Sequence, residues 1–184
     1  MENQAKQGSG VPLALTRPET KPRAAGQSSL KVSSTSISGA IPRQHSEYAD
    51  GISPQIAWSA VPGAKSYALI LEDPDAKAVV PFVHWVAWNI PGDLTSLPEG
   101  LQEHARLAEP EGVLQGKTSR GSVGYFGPRP PVGHGVHHYH FQIFALAERL
   151  PFGPETLLSD LVNALKGDAL ASADLIVTYE AAGA

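Results

Sequence analysis

The chain has 184 residues, with 14 lysine and arginine residues against 18 aspartate and glutamate residues, seven histidines and no cysteine. This length fits one domain with its own core, and the absence of cysteine excludes disulfide scaffolds, thiolate metal sites and cysteine nucleophiles. A formal charge of −4 argues against a nucleic-acid binder, and 18 glycines with 16 prolines indicate a turn-rich β protein.

The first part of the chain differs in composition from the rest. Residues 1–28 are rich in glycine, proline, serine and charge and are predicted to form a disordered arm, whereas residues 29–184 are predicted to form one folded domain. The apolar run Val11–Leu15 contains Pro12 and is shorter than the apolar stretch of a secretory signal. The stretch Ala78–Pro91 is too short and too polar to span a bilayer. These features predict a cytoplasmic protein without integral membrane association.

The first half of the folded region is predicted to consist of short strands separated by turns. Leu30–Ile37 alternates as a half-exposed strand does, and Gln55–Ser59 is a short strand. Ser66–Glu72 is a strongly apolar strand that stops at Asp73-Pro74, because proline lacks the N–H that a ladder needs. Phe82–Ile90 is almost continuously apolar, which predicts a central strand buried on both faces.

The second half begins with a long irregular segment. Leu94–Gly135 holds most of the remaining glycine and proline, and long loops in compact domains are usually functional. His137–Leu146 is predicted to be a third core strand and Asp174–Tyr179 a final strand. Between them, Pro154–Lys166 is predicted to form a helix whose apolar face comprises Leu157, Leu158, Leu161, Val162 and Leu165. The pattern is that of an antiparallel β domain with one late helix.

The first candidates for a functional site are two aspartates at the end of a predicted strand. Asp73 and Asp75 flank Pro74, whose fixed φ stiffens the turn beside a sheet edge. Paired carboxylates share a proton, bind a cation or orient imidazoles. An aspartate-capped surface turn is the alternative interpretation of these residues.

Histidines in two predicted strands are further candidates for a functional site. His84 lies inside the apolar strand Phe82–Ile90, where it is either a functional group or a hydrogen-bonded core histidine. In His137–Leu146, strand alternation places His137, Tyr139 and Phe141 on one face and His138, His140 and Gln142 on the other. An imidazole and a phenol on one face, at the exit of a proline-rich loop, either converge on a small ligand or pack across strands.

Other chemistries have less support in the sequence. The four histidines between His134 and His140 are split between the two strand faces, so one strand cannot supply them all to one ion, and no metal site is predicted. The nucleophile-elbow, P-loop and dinucleotide-binding patterns do not occur. No cofactor is predicted.

Several motifs in order resemble one known family. They are SPQIAWSAVPGAKSYALILEDPDA, FVHWVAWNIPG, LPEG and GSVGYFGPRPPVGHGVHHYHFQIFAL, and the resemblance that they carry covers roughly Leu30–Tyr179. The chain resembles the phosphatidylethanolamine-binding protein family, also called Raf kinase inhibitor-like proteins, in its bacterial YbhB/YbcL-like branch. The resemblance implies a mainly β fold in which a large central antiparallel sheet packs on a smaller sheet, with a C-terminal helix.

The resemblance also implies one small anion-accepting pocket at a sheet edge. The matching positions that line it are Asp73, Asp75, His84, Gly127, Pro131, His137 and Tyr139. This chain departs from the family pattern at Lys77, Thr118, Arg120 and Arg129. Arg129 is expected at the pocket rim, where a guanidinium would strengthen phosphate or carboxylate binding.

The predicted function is that of a binding protein rather than an enzyme. Histidine, tyrosine and loop N–H groups donate to a phosphate-containing small molecule or a phosphorylated group, and a carboxylate can meet the ammonium of an ethanolamine head. By family analogy the protein regulates a kinase or a protease, and a homodimer is compatible with the sequence. The alternatives are a hydrolase-type enzyme that uses the histidines and aspartates for acid–base chemistry and an interaction protein with a vestigial pocket.

Overall fold

The computed structural model describes Ala14 and residues 30–165 and 169–183. These residues form eight strands, one 3-10 turn at Arg43–His45 and one α-helix. The elements are β1 Val32–Ser33, β2 Ile56–Trp58, β3 Ser66–Asp73, β4 Phe82–Pro91, β5 Ser96–Leu97, β6 Leu114–Gln115, β7 His137–Leu146, α1 Leu158–Ala164 and β8 Ala169–Tyr179.

The strands form two antiparallel sheets. The larger sheet has the order β6-β4-β3-β7-β8, and the smaller one has the order β1-β2-β5. In the larger sheet β3 lies between β4 and β7, so Asp73 pairs with Phe82, and Glu72 pairs with both Val83 and His140. The predicted fold class, with two antiparallel sheets and one helix near the C-terminus, is confirmed.

The central strands of the larger sheet, β3 and β4, are buried on both faces. Along β3, Tyr67, Leu69 and Leu71 belong to a core cluster that includes Ile56 and Trp58 of the smaller sheet. The intervening Ala68 and Ile70 belong to a second cluster on the opposite face that includes three residues of the helical segment, Leu161, Val162 and Leu165. Two-sided burial explains why the central strands are continuously apolar rather than alternating.

Two elements are shorter than predicted. The strand predicted at Leu30–Ile37 is limited to Val32–Ser33, because the Ser34 hydroxyl accepts hydrogen bonds from the N–H groups of Ser36 and Ile37 and turns the chain away from the ladder. The predicted helix starts at Leu158 rather than Pro154.

The helix begins late because the preceding residues form a turn. The N–H and hydroxyl of Thr156 both donate to the Gly153 carbonyl, and Leu157 is extended with φ −75° and ψ 151°. Leu157 is therefore exposed instead of lying on the apolar face. The predicted helix end at Lys166 and Gly167 lies outside the described residues.

The last strand is longer than predicted, and the arm is described at one position only. β8 begins at Ala169 rather than Asp174, because residues 169–173 pair with β7 although alanine and serine favour strands weakly. The arm predicted over residues 1–28 lies outside the described residues apart from Ala14, which is buried and donates its N–H to the Glu72 carboxylate at 2.6 Å. Within the described residues, no helix has the length and apolarity needed to cross a membrane.

Candidate functional site

A cavity of about 520 Å³ opens where β3 ends and where β4 and β7 begin. Asp73 reaches it from the end of β3, Phe82 and His84 from β4, and His137 and Tyr139 from β7. Residues 76–78, 119–120, 126, 129–131 and 134 supply the remaining wall. The antiparallel order β4-β3-β7 therefore brings together residues that are more than sixty positions apart in the chain.

Asp73 and His137 form a buried pair at one side of the cavity. The His137 Nδ1–H donates to Asp73 Oδ2 at 2.8 Å, and both side chains are almost fully buried. Asp73 Oδ1 accepts the N–H groups of Asp75 at 2.8 Å and Ala76 at 3.2 Å. The turn after β3 thus fixes the carboxylate, and the carboxylate fixes the imidazole. This contact sets the tautomer and the orientation of the His137 ring.

His84 stands on the neighbouring strand in an aromatic surrounding. Its Nδ1–H donates to the Phe126 carbonyl at 2.7 Å, and its ring stacks on Phe126 at 5.8 Å and lies edge-on to Tyr139 at 5.2 Å. Burial lowers the pKa of His84 from 6.5 to about 4, against the raising effects of the Phe126 carbonyl and the Asp73 charge. In the free protein His84 is therefore neutral at pH 7, and its Nε2 carries a lone pair.

Tyr139 supplies a hydroxyl at the base of the site. The residue has no solvent exposure, and its hydroxyl makes no well-aligned hydrogen bond to any residue that the structure describes, although the Asp73 carboxylate lies near it. Burial, followed by the charge of Asp73, raises the pKa of Tyr139, so the phenol keeps its proton. A buried hydroxyl without a partner is costly, and a ligand in the cavity is the natural partner for it.

The mouth of the cavity is cationic. Lys77, Arg120 and Arg129 line it and are exposed, and the Arg120 guanidinium lies 5.2 Å from the centre of the Phe126 ring. His134 also lines the wall, and its ring stacks on His137 at 5.7 Å. The mouth has the positive charge that an anion requires.

Five of the seven predicted site residues line this cavity, and Arg129 lines it as well. The five are Asp73, His84, Pro131, His137 and Tyr139. Asp75 does not belong to the described lining. Its Oδ2 accepts from the backbone N–H and from Nδ1 of His138, at 2.8 and 2.7 Å. Asp75 thus anchors the turn to the opposite face of β7.

Gly127 is also absent from the described lining and has a packing role. Its N–H donates to the Glu47 carboxylate at 3.0 Å. A Cβ atom at Gly127 would lie 2.5 Å from the His45 carbonyl oxygen and 2.9 Å from Ser46 Cα. Only glycine therefore lets the loop that carries Phe126 and Arg129 pack against residues 45–47.

The Gly127→Ala variant is expected to lose about 2 kcal/mol of unfolding free energy, because the loop must move away from rigid backbone atoms. Gly153→Ala is the matched control: its Cβ would meet nothing within 4 Å, and its φ is not left-handed. That control is expected to stay within about 0.5 kcal/mol of the parent. Urea unfolding measures both, and equal stability of the two variants would contradict the packing role of Gly127.

The histidines on the other face of β7 have separate partners. His138 pairs with Asp75, and His140 Nδ1 lies 3.0 Å from Asp174 Oδ2. Among the described residues, no group of three or more histidine, aspartate and glutamate side chains has an arrangement that would hold a metal ion. The partners of His138 and His140 show that these two side chains lie on the face of β7 opposite His137 and Tyr139, as the strand alternation predicts.

Sequence reasoning missed the aromatic walls and part of the charged mouth. Phe82 precedes His84 by two positions on the same strand, so alternation alone places the two side chains on one face. Phe126 and His134 lie in irregular loops, where no periodicity predicts orientation. Arg120 was noted only as a departure from a pattern.

The site offers donors and one acceptor to a small ligand. Tyr139 offers an O–H group, and the cations at the mouth offer N–H groups. Neutral His84 offers the lone pair of Nε2, and once protonated it offers an N–H group instead. The arrangement fits a protonated oxyanion, which donates to Nε2 of neutral His84. It equally fits an unprotonated oxyanion whose binding is coupled to protonation of His84.

The comparisons with known proteins agree with this architecture. A family model described as "Phosphatidylethanolamine-binding protein" matches residues 31–180. A UPF0098 protein of Methanothermobacter thermautotrophicus is 42% identical over 151 residues, which cover 82% of this chain and 97% of that protein.

Two solved structures resemble the chain along most of its length. Escherichia coli YbcL, described as a new member of the mammalian PEBP family, superposes with a TM-score of 0.75 at 30% identity and covers 84% of this chain and 100% of its own. A putative PEBP homolog of Chlamydia trachomatis has a TM-score of 0.73 at 31% identity and covers 83% of this chain and 98% of its own.

Proposed function

Because the chain belongs to the phosphatidylethanolamine-binding protein family, in its YbcL-like branch, we propose that its cavity binds a phosphate-type anion without turnover. In this proposal His84, His137 and Tyr139 contact the anion, Asp73 orients His137, and Arg129 and Pro131 frame the mouth. Asp75 and Gly127 support these residues through the two loops that they anchor. The ligand is the phosphate of a small molecule or of a phosphorylated group.

The observation that carries the proposal is the Tyr139 hydroxyl. It is buried in the wall of the cavity. Beside it lie the imidazole of His137, which the Asp73 carboxylate fixes, and the imidazole of His84, which the Phe126 carbonyl fixes. Polar groups in a folded interior are nearly always hydrogen-bonded. A buried donor that lacks a well-aligned hydrogen bond and faces a cavity lined by cations supports the binding of an anion there.

Tyr139→Phe is expected to separate stability from binding. Loss of an unpaired buried hydroxyl raises the unfolding free energy by about 1 kcal/mol, whereas loss of its bond to a charged ligand weakens phosphate binding about tenfold. Urea unfolding and calorimetric titration with inorganic phosphate measure the two effects. Unchanged phosphate affinity in this variant would contradict the proposal.

Tyr125→Phe is the matched control for that experiment. The Tyr125 hydroxyl is also buried, but it donates to the His45 carbonyl at 2.7 Å and lies outside the cavity lining. This variant is expected to lose stability and keep phosphate affinity.

A kinase or protease partner, a homodimer and a cytoplasmic location stay predictions.

A further inference from the structure

One residue of the N-terminal arm is anchored in the core of the domain. Ala14 has no solvent exposure and belongs to the core cluster on the helix side of the larger sheet. Its N–H donates to Glu72 Oε2 at 2.6 Å, and the side-chain amide of Gln142 donates to the same oxygen at 2.8 Å. Glu72 is itself fully buried. Because a buried carboxylate is stable only when N–H groups donate to it, the arm supplies at Ala14 part of what Glu72 requires.

The anchor lies directly behind the anion cavity, on the other face of the sheet. Glu72 and its cross-strand partners, Val83 of β4 and His140 of β7, are each the immediate chain neighbour of a residue that lines the cavity. Those lining residues are Asp73, His84 and Tyr139. Since successive residues of a strand point to opposite faces, the backbone on which the arm rests is the backbone that carries the cavity wall.

The sheet is irregular at the same point. Leu71 pairs with Trp85 and Glu72 pairs with Val83, so the register between β3 and β4 skips His84. An extra residue of this kind bends its strand and re-aims a side chain, and such bulges are frequent next to functional sites. Glu72 therefore stands opposite the bulge that aims His84 into the cavity, and a small shift of the backbone at Glu72 reaches that imidazole.

We propose that the arm, docked at Ala14 on the Glu72 carboxylate, holds the bulge in the form that binds the anion, so that docking of the arm and anion binding strengthen each other. This inference rests on the proposed anion-binding function and names a regulation of the same site. The family model matches residues 31–180, so the anchor precedes the matched domain and is an addition to it. Coupling between two sites is reciprocal: the factor by which the docked arm raises anion affinity is also the factor by which the anion stabilises the docked arm.

The test measures both sides of this coupling in the full chain at one pH. Ala14→Pro removes the N–H that Glu72 accepts, and Ala14→Asp introduces a second carboxylate beside the first. Each variant is expected to weaken sulfate binding about fivefold in calorimetry. In the parent, saturating sulfate is expected to slow hydrogen exchange of the Ala14 amide by about the same factor. Ala5→Pro, at another position of the arm, is the matched control and is expected to keep the sulfate affinity of the parent.

The exchange measurement needs no substitution, so it stands even if a variant folds poorly. Exchange of the Ala14 amide at the rate of the Ala5 amide overturns the docking. A slow Ala14 amide that sulfate does not slow further, with unchanged sulfate affinity in both Ala14 variants, overturns the coupling and leaves the proposed function standing. Protection of the Ala14 amide that disappears on dilution assigns the contact to the arm of a second copy and also overturns the inference. Absence of sulfate and phosphate binding in the parent overturns the proposed function itself.

Discussion

His137→Ala is expected to lower phosphate affinity at least tenfold and the unfolding free energy by about 3 kcal/mol. The binding loss follows because the variant removes an imidazole from the cavity wall and the anchor of the stacked His134 ring. The stability loss follows because Asp73 Oδ2 loses its partner at 2.8 Å in a buried place, and an uncompensated buried charge is strongly destabilising. Calorimetry and urea unfolding at pH 7 measure the two losses.

The double variant Asp73→Asn with His137→Ala separates these two effects. Removal of the carboxylate charge abolishes the cost of leaving it unpaired, so part of the lost stability returns. Phosphate affinity does not return, since the imidazole is still missing. If His137→Ala binds phosphate as the parent does, the site is wrongly assigned, whatever the stability measurements show.

Anion binding is expected to strengthen as the pH falls from 7 to 5, by up to tenfold per pH unit. His84 is neutral in the free protein because burial lowers its pKa to about 4. An anion against the ring favours the charged form and raises this pKa, so the complex takes up a proton. Sulfate is the suitable probe, because it stays a dianion over this range and only the protein titrates.

Calorimetry in buffers of different ionisation enthalpy measures the proton taken up. His84→Gln is expected to bind sulfate with less proton uptake and a flatter pH dependence. Equal proton uptake by this variant and the parent would assign the proton to another group and contradict the role of His84.

The same histidine has the opposite effect on the stability of the free protein. Its pKa is lower in the folded state than the ordinary 6.5, so the unfolded chain binds a proton first as the pH falls. Through this residue the free energy of unfolding is at its highest above pH 6.5, and it falls progressively by about 3 kcal/mol as the pH is lowered to about 4. Acid thus weakens the fold and strengthens the complex through one ring.

The parts of the site that lie on strands were predictable from the sequence. Alternation along β7 places His137 and Tyr139 on one face and His138 and His140 on the other, as the structure shows. The stop at Asp73-Pro74 is equally local, since proline cannot continue the ladder. A two-residue period and a missing N–H are properties of the sequence itself.

The parts that depend on loops were not predictable in this way. Asp75 turns to His138 because the chain reverses after Pro74, and Gly127 is fixed by the approach of residues 45–47, which lie eighty positions away. The approach of residues 45–47 has no local pattern that encodes it. The short β1 has a different, local cause, since hydrogen bonds to the Ser34 hydroxyl replace the ladder.

The central claim is that His84, His137 and Tyr139 enclose one bound anion. Its most direct test follows the side-chain nitrogen resonances of every histidine by NMR during a titration with inorganic phosphate. The prediction is that the Nε2 resonances of His84 and His137 shift together with one dissociation constant, while those of His138 and His140 on the opposite face of β7 stay in place. Shifts confined to His138 and His140, or equal for all histidines, would contradict it.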